Sequence, residues 1–148
     1  MLDAPSRTLA ITSTAPGAGK SFLSANFAVV SAQAGQTVCL IDADMRRGRL
    51  RRMFDVPRDA PGFADILTGQ ARLEDVLVQT GVAGLVFLPA GKFPPNPAEL
   101  LLRPTLGALI RELDQRFDLS IFDCPPVLAV TDPVIIAKAA GASLLVAR

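Results

Sequence analysis

Residues Ser13–Phe22, STAPGAGKSF, combine the types that hold a polyphosphate. Gly17 and Gly19 let the backbone turn its N–H groups toward one centre, and a helix starting there adds positive potential. Lys20 can reach β- and γ-phosphates, and Ser21 can offer its hydroxyl to Mg²⁺. The segment Ala15, Pro16, Gly17, Ala18, Gly19, Lys20, Ser21 and Phe22 is therefore the expected nucleotide cradle. The general pattern G-x-x-x-x-G-K-[ST] asks for glycine at position 14, where this chain has Thr14. The match is Gly-Lys-Ser between a strand pattern and a helix pattern. It points to a nucleoside triphosphate site.

Such a loop needs a carboxylate to hold Mg²⁺, directly or through water. Two apolar runs end in acids. VCLIDAD supplies Asp42 and Asp44, and LSIFDCPP supplies Asp123. In an open parallel sheet, ligands gather beyond the carboxyl ends of the strands, so all three acids fall on the edge that carries the phosphate loop. Asp42 and Asp123 are read as metal-holding or nucleophile-orienting groups. Asp44 is the weaker candidate for the same work, because strand alternation points it either way. Asp132 reads as a helix N-cap, with Pro133 as the first helical residue.

Behind Asp44 come Arg46, Arg47, Arg49, Arg51 and Arg52. On a helix after Gly48, Arg49, Arg52 and Arg46 would spread around one side. The run is either a solvated basic face or a surface for an acidic peptide, an anionic partner or another subunit. Nucleic acid is not expected. The net charge is +1, and no DNA-binding pattern appears.

The elements that must position these residues are readable. Leu9–Thr12, Val38–Ile41, Leu85–Leu88, Leu119–Phe122 and Leu144–Val146 are strand-like runs. Leu23, Phe27, Val30 and Ala34 recur at helical spacing before a stop at Gly35. Leu106, Leu109, Ile110, Leu113 and Phe117 form a second stripe behind Pro104. Apolar strands alternating with helices predict an α/β chain of the P-loop NTPase class, a mostly parallel sheet with helices on both faces.

The 148 residues suit one domain, residues 1–148. Leu144–Val146 reads as a core strand two residues from the end, so the sheet is expected to be truncated C-terminally. No apolar run is long enough to span a bilayer and the N-terminus lacks a signal-peptide pattern, which predicts a cytoplasmic location. Cys39 and Cys124 lie in strand patterns and read as reduced core thiols. The chain has no histidine, tyrosine or tryptophan. That excludes Ser–His and Cys–His nucleophilic pairs and His-ligated metals.

STAPGAGKS, CLIDADMRRG, FPPNPAELL and IFDCPPVLAVTD stand together in one chain. The set closely resembles the kinase domain of bacterial tyrosine kinases that control capsule and exopolysaccharide production. Each of the other three motifs also suits partitioning and cell-division-site ATPases; PPNPAELL narrows the resemblance, and DILTGQ, Asp65–Gln70, fits it. The resemblance implies that Lys20 and the loop backbone hold ATP. It gives Ser21 and Asp123 to Mg²⁺, the latter through water. Asp42 would orient or deprotonate a tyrosine hydroxyl, Asp44 would help set the metal, and Arg46 would stabilise the acidic loop. The implied partners are a membrane-embedded polysaccharide co-polymerase or activator domain, through which or through a fused transmembrane region the domain is membrane-associated, and a tyrosine-bearing tail of a neighbouring subunit or another protein substrate. A homo-oligomer ring is implied for the full-length protein.

The N-terminal Glu/Arg helix motif and the tyrosine-rich tail of that family are not in these residues, and without tyrosine the chain cannot phosphorylate itself on tyrosine. Two other readings stay open: a partitioning-type ATPase switch and a non-catalytic interaction fragment. The switch class usually carries an extra lysine where this chain has Ala15.

Overall fold

The computed structural model describes residues 7–15, 19–128 and 130–146. Its six strands are β1 (Thr8–Ser13), β2 (Val38–Asp42), β3 (Val78–Gln79), β4 (Leu85–Leu88), β5 (Leu119–Asp123) and β6 (Ala142–Val146). They form one sheet in the order β3-β4-β2-β5-β1-β6. Every pairing is parallel except β3 with β4. The helices are α1 (Lys20–Gln33), α2 (Phe63–Leu67), α3 (Leu73–Val76), α4 (Pro97–Leu101), α5 (Pro104–Arg116) and α6 (Asp132–Ala139), with a 3₁₀ turn at Arg49–Phe54. Among the described residues no helix is long and apolar enough to cross a membrane.

Val38–Ile41 is apolar at every position because both sheet faces are covered. Val38 and Leu40 pack with Ile11, Ala28, Phe87 and Ile121 on the α1 side. Cys39 and Ile41 pack with Phe122, Leu109, Leu113 and Ile136 on the side of α5 and α6. Each large side chain so buried contributes about 1.5–3 kcal/mol. The α5 stripe lies as expected, with Leu106, Leu109, Ile110 and Leu113 buried behind Pro104. Both cysteines are free and buried, and burial pushes their thiols far above the ordinary value.

The α1 stripe does not lie as expected. Leu23, Phe27 and Val30 are 40%, 40% and 61% exposed. The buried positions are Lys20, Ser24, Ala28, Ser31 and Ala32. The rotation is set at the first residue. Lys20 must face the site, and positions 24, 28 and 31 share its side of the helix. Small residues on that side let the helix approach the strands. The strand β3 was not expected, since two residues are too few to show alternation.

The turn into α2 holds the loop after β4. Phe63 and Ala64 donate their N–H groups to the Pro89 and Ala90 carbonyls, and Asp65 Oδ2 accepts from Gly62 N at 2.8 Å. A Cβ at Gly62 would overlap the Pro89 carbonyl oxygen and stand 2.8 Å from Gly91 N. Both are backbone atoms, so the contact cannot be relieved by a rotamer. Gly62→Ala is expected to destabilise the chain by about 3 kcal/mol, read as a lower urea midpoint. An unchanged midpoint would mean that this loop yields without cost.

Candidate active site

The strand order places the chemistry. β5 lies between β1 and β2, so Asp123 stands between the loop that leaves β1 and the acids that leave β2. Asp42 and Asp123 are direct partners in the β2–β5 register.

Gly19 adopts φ 78° and α1 begins at Lys20. The Lys20 Nζ lies 2.6 Å from Asp123 Oδ1, and also 3.3 Å from Ser21 Oγ. Ser21 Oγ donates to Asp123 Oδ2 at 2.9 Å. Ser24 Oγ donates to Oδ1 at 2.9 Å. One buried carboxylate thus collects an ammonium and two hydroxyls. Ala15 and Phe22 are exposed. Pro16, Gly17 and Ala18 of the expected cradle lie outside the described residues.

Asp42 is 1% exposed. Its Oδ1 accepts from Asp44 N at 3.1 Å and its Oδ2 from Leu50 N at 3.3 Å. Burial, and next the charge of Asp123, push its carboxyl up to about 8, against the Asp44 N–H and Lys20, which favour the charged form. Asp44 Oδ1 accepts from Arg46 N and Arg47 N at 3.1 and 3.0 Å. The acidic loop is therefore folded around its own two carboxylates.

The Arg46 side chain reaches from that loop to α6. Its Nε and Nη2 donate to Asp132 at 3.4 and 3.2 Å. Asp132 is fully buried and makes no side-chain cap. The expected N-cap at Asp132 is thus displaced. Thr131 holds the cap position, and the Asp132 carboxylate ties the β2 loop to α6.

Sequence reasoning did not find two contributors. Ser24 was legible in principle, four residues after Lys20 on one helical face. Asp132 reaches Arg46 across 86 positions, a pairing that no local spacing announces.

The donors present are hard oxygens. Ser21 Oγ and Asp123 Oδ2 lie side by side, which fits Mg²⁺, an ion bound through one or two protein ligands plus phosphates. Among the described residues no group of three His, Cys, Asp or Glu side chains has the arrangement of an all-protein metal site.

The sequence family described as AAA domain matches residues 6–147. The crystal structure of the VpsO kinase domain superposes with a TM-score of 0.90 at 32% identity, covering 97% of this chain and 70% of that one. The chain belongs to the bacterial tyrosine-kinase family. The BceF tyrosine kinase domain is 48% identical with a TM-score of 0.87, over 98% of this chain and 57% of that one. The tyrosine-protein kinase ptk of Acinetobacter johnsonii is 44% identical over 140 residues, 95% of this chain and 19% of that protein. This member of the tyrosine-kinase family spans about a fifth of the length of the curated relatives it matches. A septum site-determining protein, MinD of Pyrococcus horikoshii, solved with Mg-ADP, superposes with a TM-score of 0.77 at 25% identity, over 95% of this chain and 57% of that one.

Proposed function

We propose that the chain, residues 1–148 acting as one unit, binds Mg-ATP and transfers the γ-phosphate to a tyrosine hydroxyl, as part of a capsule or exopolysaccharide system. The observation that carries this reading is the Asp123 carboxylate gathering Lys20, Ser21 and Ser24 directly beside Asp42. It joins a phosphate-holding half to a proton-handling half.

Lys20 exchanges its carboxylate partner for phosphate oxygens when nucleotide enters. The N–H groups at the start of α1 would meet the same phosphates. Ser21 and Asp123 would hold Mg²⁺, with Asp42 and Asp44 as further carboxylates for it, and the ion would supply charge neutralisation to the phosphates. Asp42 takes the tyrosine proton, as the carboxylate that stands beside Asp123 at the end of β2. Asp44 orders the acidic loop, and Arg46 anchors it to α6. Most of the barrier is lowered by positioning and charge neutralisation. In the longer polypeptide the domain works at the cytoplasmic face, with a membrane-embedded activator, and a neighbour's tyrosine-bearing tail or another protein is the substrate. A ring of subunits would present such tails.

The test is incubation with Mg-ATP and a tyrosine-bearing peptide, alongside Asp42→Ala. Peptide phosphorylation is expected to fall by about 10²–10⁴-fold in the variant, with ATP affinity retained. ATP hydrolysis without peptide labelling would favour an ATPase switch. Failure to bind nucleotide would leave an interaction fragment.

A further inference from the structure

Beside the acids the surface opens into a cavity of about 460 Å³ lined by arginines 46, 47, 49, 51, 52 and 58 around Phe93. Two of the six guanidiniums are engaged: Arg46 with Asp132, and Arg51, whose Nη1 donates to the Val56 carbonyl at 3.5 Å. The guanidiniums of Arg47, Arg49, Arg52 and Arg58 make no ion pair or hydrogen bond among the described residues. Asp55 and Asp59, the acids of the same stretch, form no ion pair either. Four unpaired like charges around one opening repel, and a chain of net charge +1 concentrates its positive potential there.

Three features make this more than a solvated face. First, the backbone of the pocket is fastened to the catalytic acids: Leu50 N–H bonds to Asp42 Oδ2, and Gly48 N–H to the Asp44 carbonyl at 2.9 Å. Second, the floor is aromatic. Phe93 is 46% exposed and rests on Gly48, where φ is 55° and an added Cβ would come within 2.9 Å of the ring. Third, the acidic loop with Asp44 directly precedes the arginines, so the charge of an acidic substrate would meet its compensation just beyond the reacting end.

We propose that this pocket binds acidic residues flanking the phosphoacceptor tyrosine of a polypeptide substrate. The inference rests on the kinase reading above and specifies its substrate class. Guanidiniums pair with carboxylates in charge-assisted hydrogen bonds, and Phe93 packs the stem of a glutamate or the residue beside it. The opening takes a few side chains, which fits a short acidic peptide better than a long polyanion.

The experiment separates the two readings. Labelled peptides carry phenylalanine in place of tyrosine, with either glutamates or glutamines flanking it, and binding is followed by anisotropy at two salt concentrations. The acidic peptide is expected to bind about 10-fold or more tightly, and less so at higher salt. The triple variant Arg49→Gln, Arg52→Gln, Arg58→Gln should abolish that preference while retaining its ADP affinity and circular dichroism. Equal binding of the two peptides overturns the proposal. So does an unaltered preference in the variant, or equally tight binding of a single-stranded oligonucleotide or anionic vesicles. Phosphorylation of the neutral tyrosine peptide is measured in parallel. Its absence with acidic-peptide binding intact counts against the kinase reading and leaves the pocket standing. Its presence with no acidic preference does the reverse.

Discussion

Asp123→Ala is expected to remove nucleotide binding and to destabilise the fold by about 3–5 kcal/mol, the usual cost of stripping one partner from a buried ion pair. Lys20 would be left with its ammonium buried beside two hydroxyls that have lost their acceptor. Removing the charge as well should reverse much of the loss. Lys20→Met with Asp123→Leu is expected to recover most of the stability, because apolar replacement of a buried pair is often neutral, while nucleotide remains unbound. Urea denaturation of Lys20→Met, of Asp123→Leu and of the double variant gives the coupling between the positions. Additive losses would mean that the pair is not a unit. Retained nucleotide affinity in Asp123→Ala would remove that carboxylate from the proposed machinery.

The second large effect is a dependence of stability on pH. The unfolded Asp42 carboxyl loses its proton near 4, whereas the folded one keeps it up to about 8. Between those values the folded chain binds more protons than the unfolded chain. Stability contributed by this group is therefore fully present below about 4 and drains away as the pH rises through about 8. The ceiling is of the order of 5 kcal/mol. Glu74 and Asp118 act in the opposite sense: a hydrogen bond from Arg116 and one from the Thr37 N–H hold them below the ordinary value. Their effect is complete by pH 5 and they are solvent-exposed, so they leave the higher window to Asp42. In metal-free buffer, the urea midpoint of the native chain should fall from pH 5 to pH 8. Asp42→Asn should flatten that slope, because an amide has no proton to lose. Parallel curves for the two proteins would show that Asp42 is ionised throughout.

Both effects arise from parts of the chain that were legible in different degrees. The strands announced themselves, since Val38–Ile41 is apolar throughout and must be covered twice. The acids at the ends of β2 and β5 were found because a parallel sheet puts ligands at one edge. Their adjacency was not legible, as it depends on β5 entering between β1 and β2, and no local pattern encodes strand order. The rotation of α1 was misjudged for a related reason. Periodicity favoured the bulky residues Leu23, Phe27 and Val30, but the helix is turned by what Lys20 and Ser24 must reach. Arg46 shows the limit most plainly. Its expected part in steadying the acidic loop came with no partner, and the structure supplies one in Asp132 on another helix.

The two ends of the sheet are unlike. At one end β3 is two residues long and runs antiparallel to its neighbour, a short, reversed strand that offers little template for another. At the other end β6 is five residues long and parallel, with Leu144 and Leu145 exposed. Among the described residues its outer side has no strand partner. The sheet is therefore asymmetric: the β6 margin is the better template for a further strand. That margin adjoins β1, for Val146 pairs with Ser13 and its carbonyl accepts from Thr14 N at 3.2 Å. Any segment that lengthens the sheet there becomes a neighbour-but-one of the phosphate loop. Growth of the sheet and occupancy of the loop would then share a single strand's register.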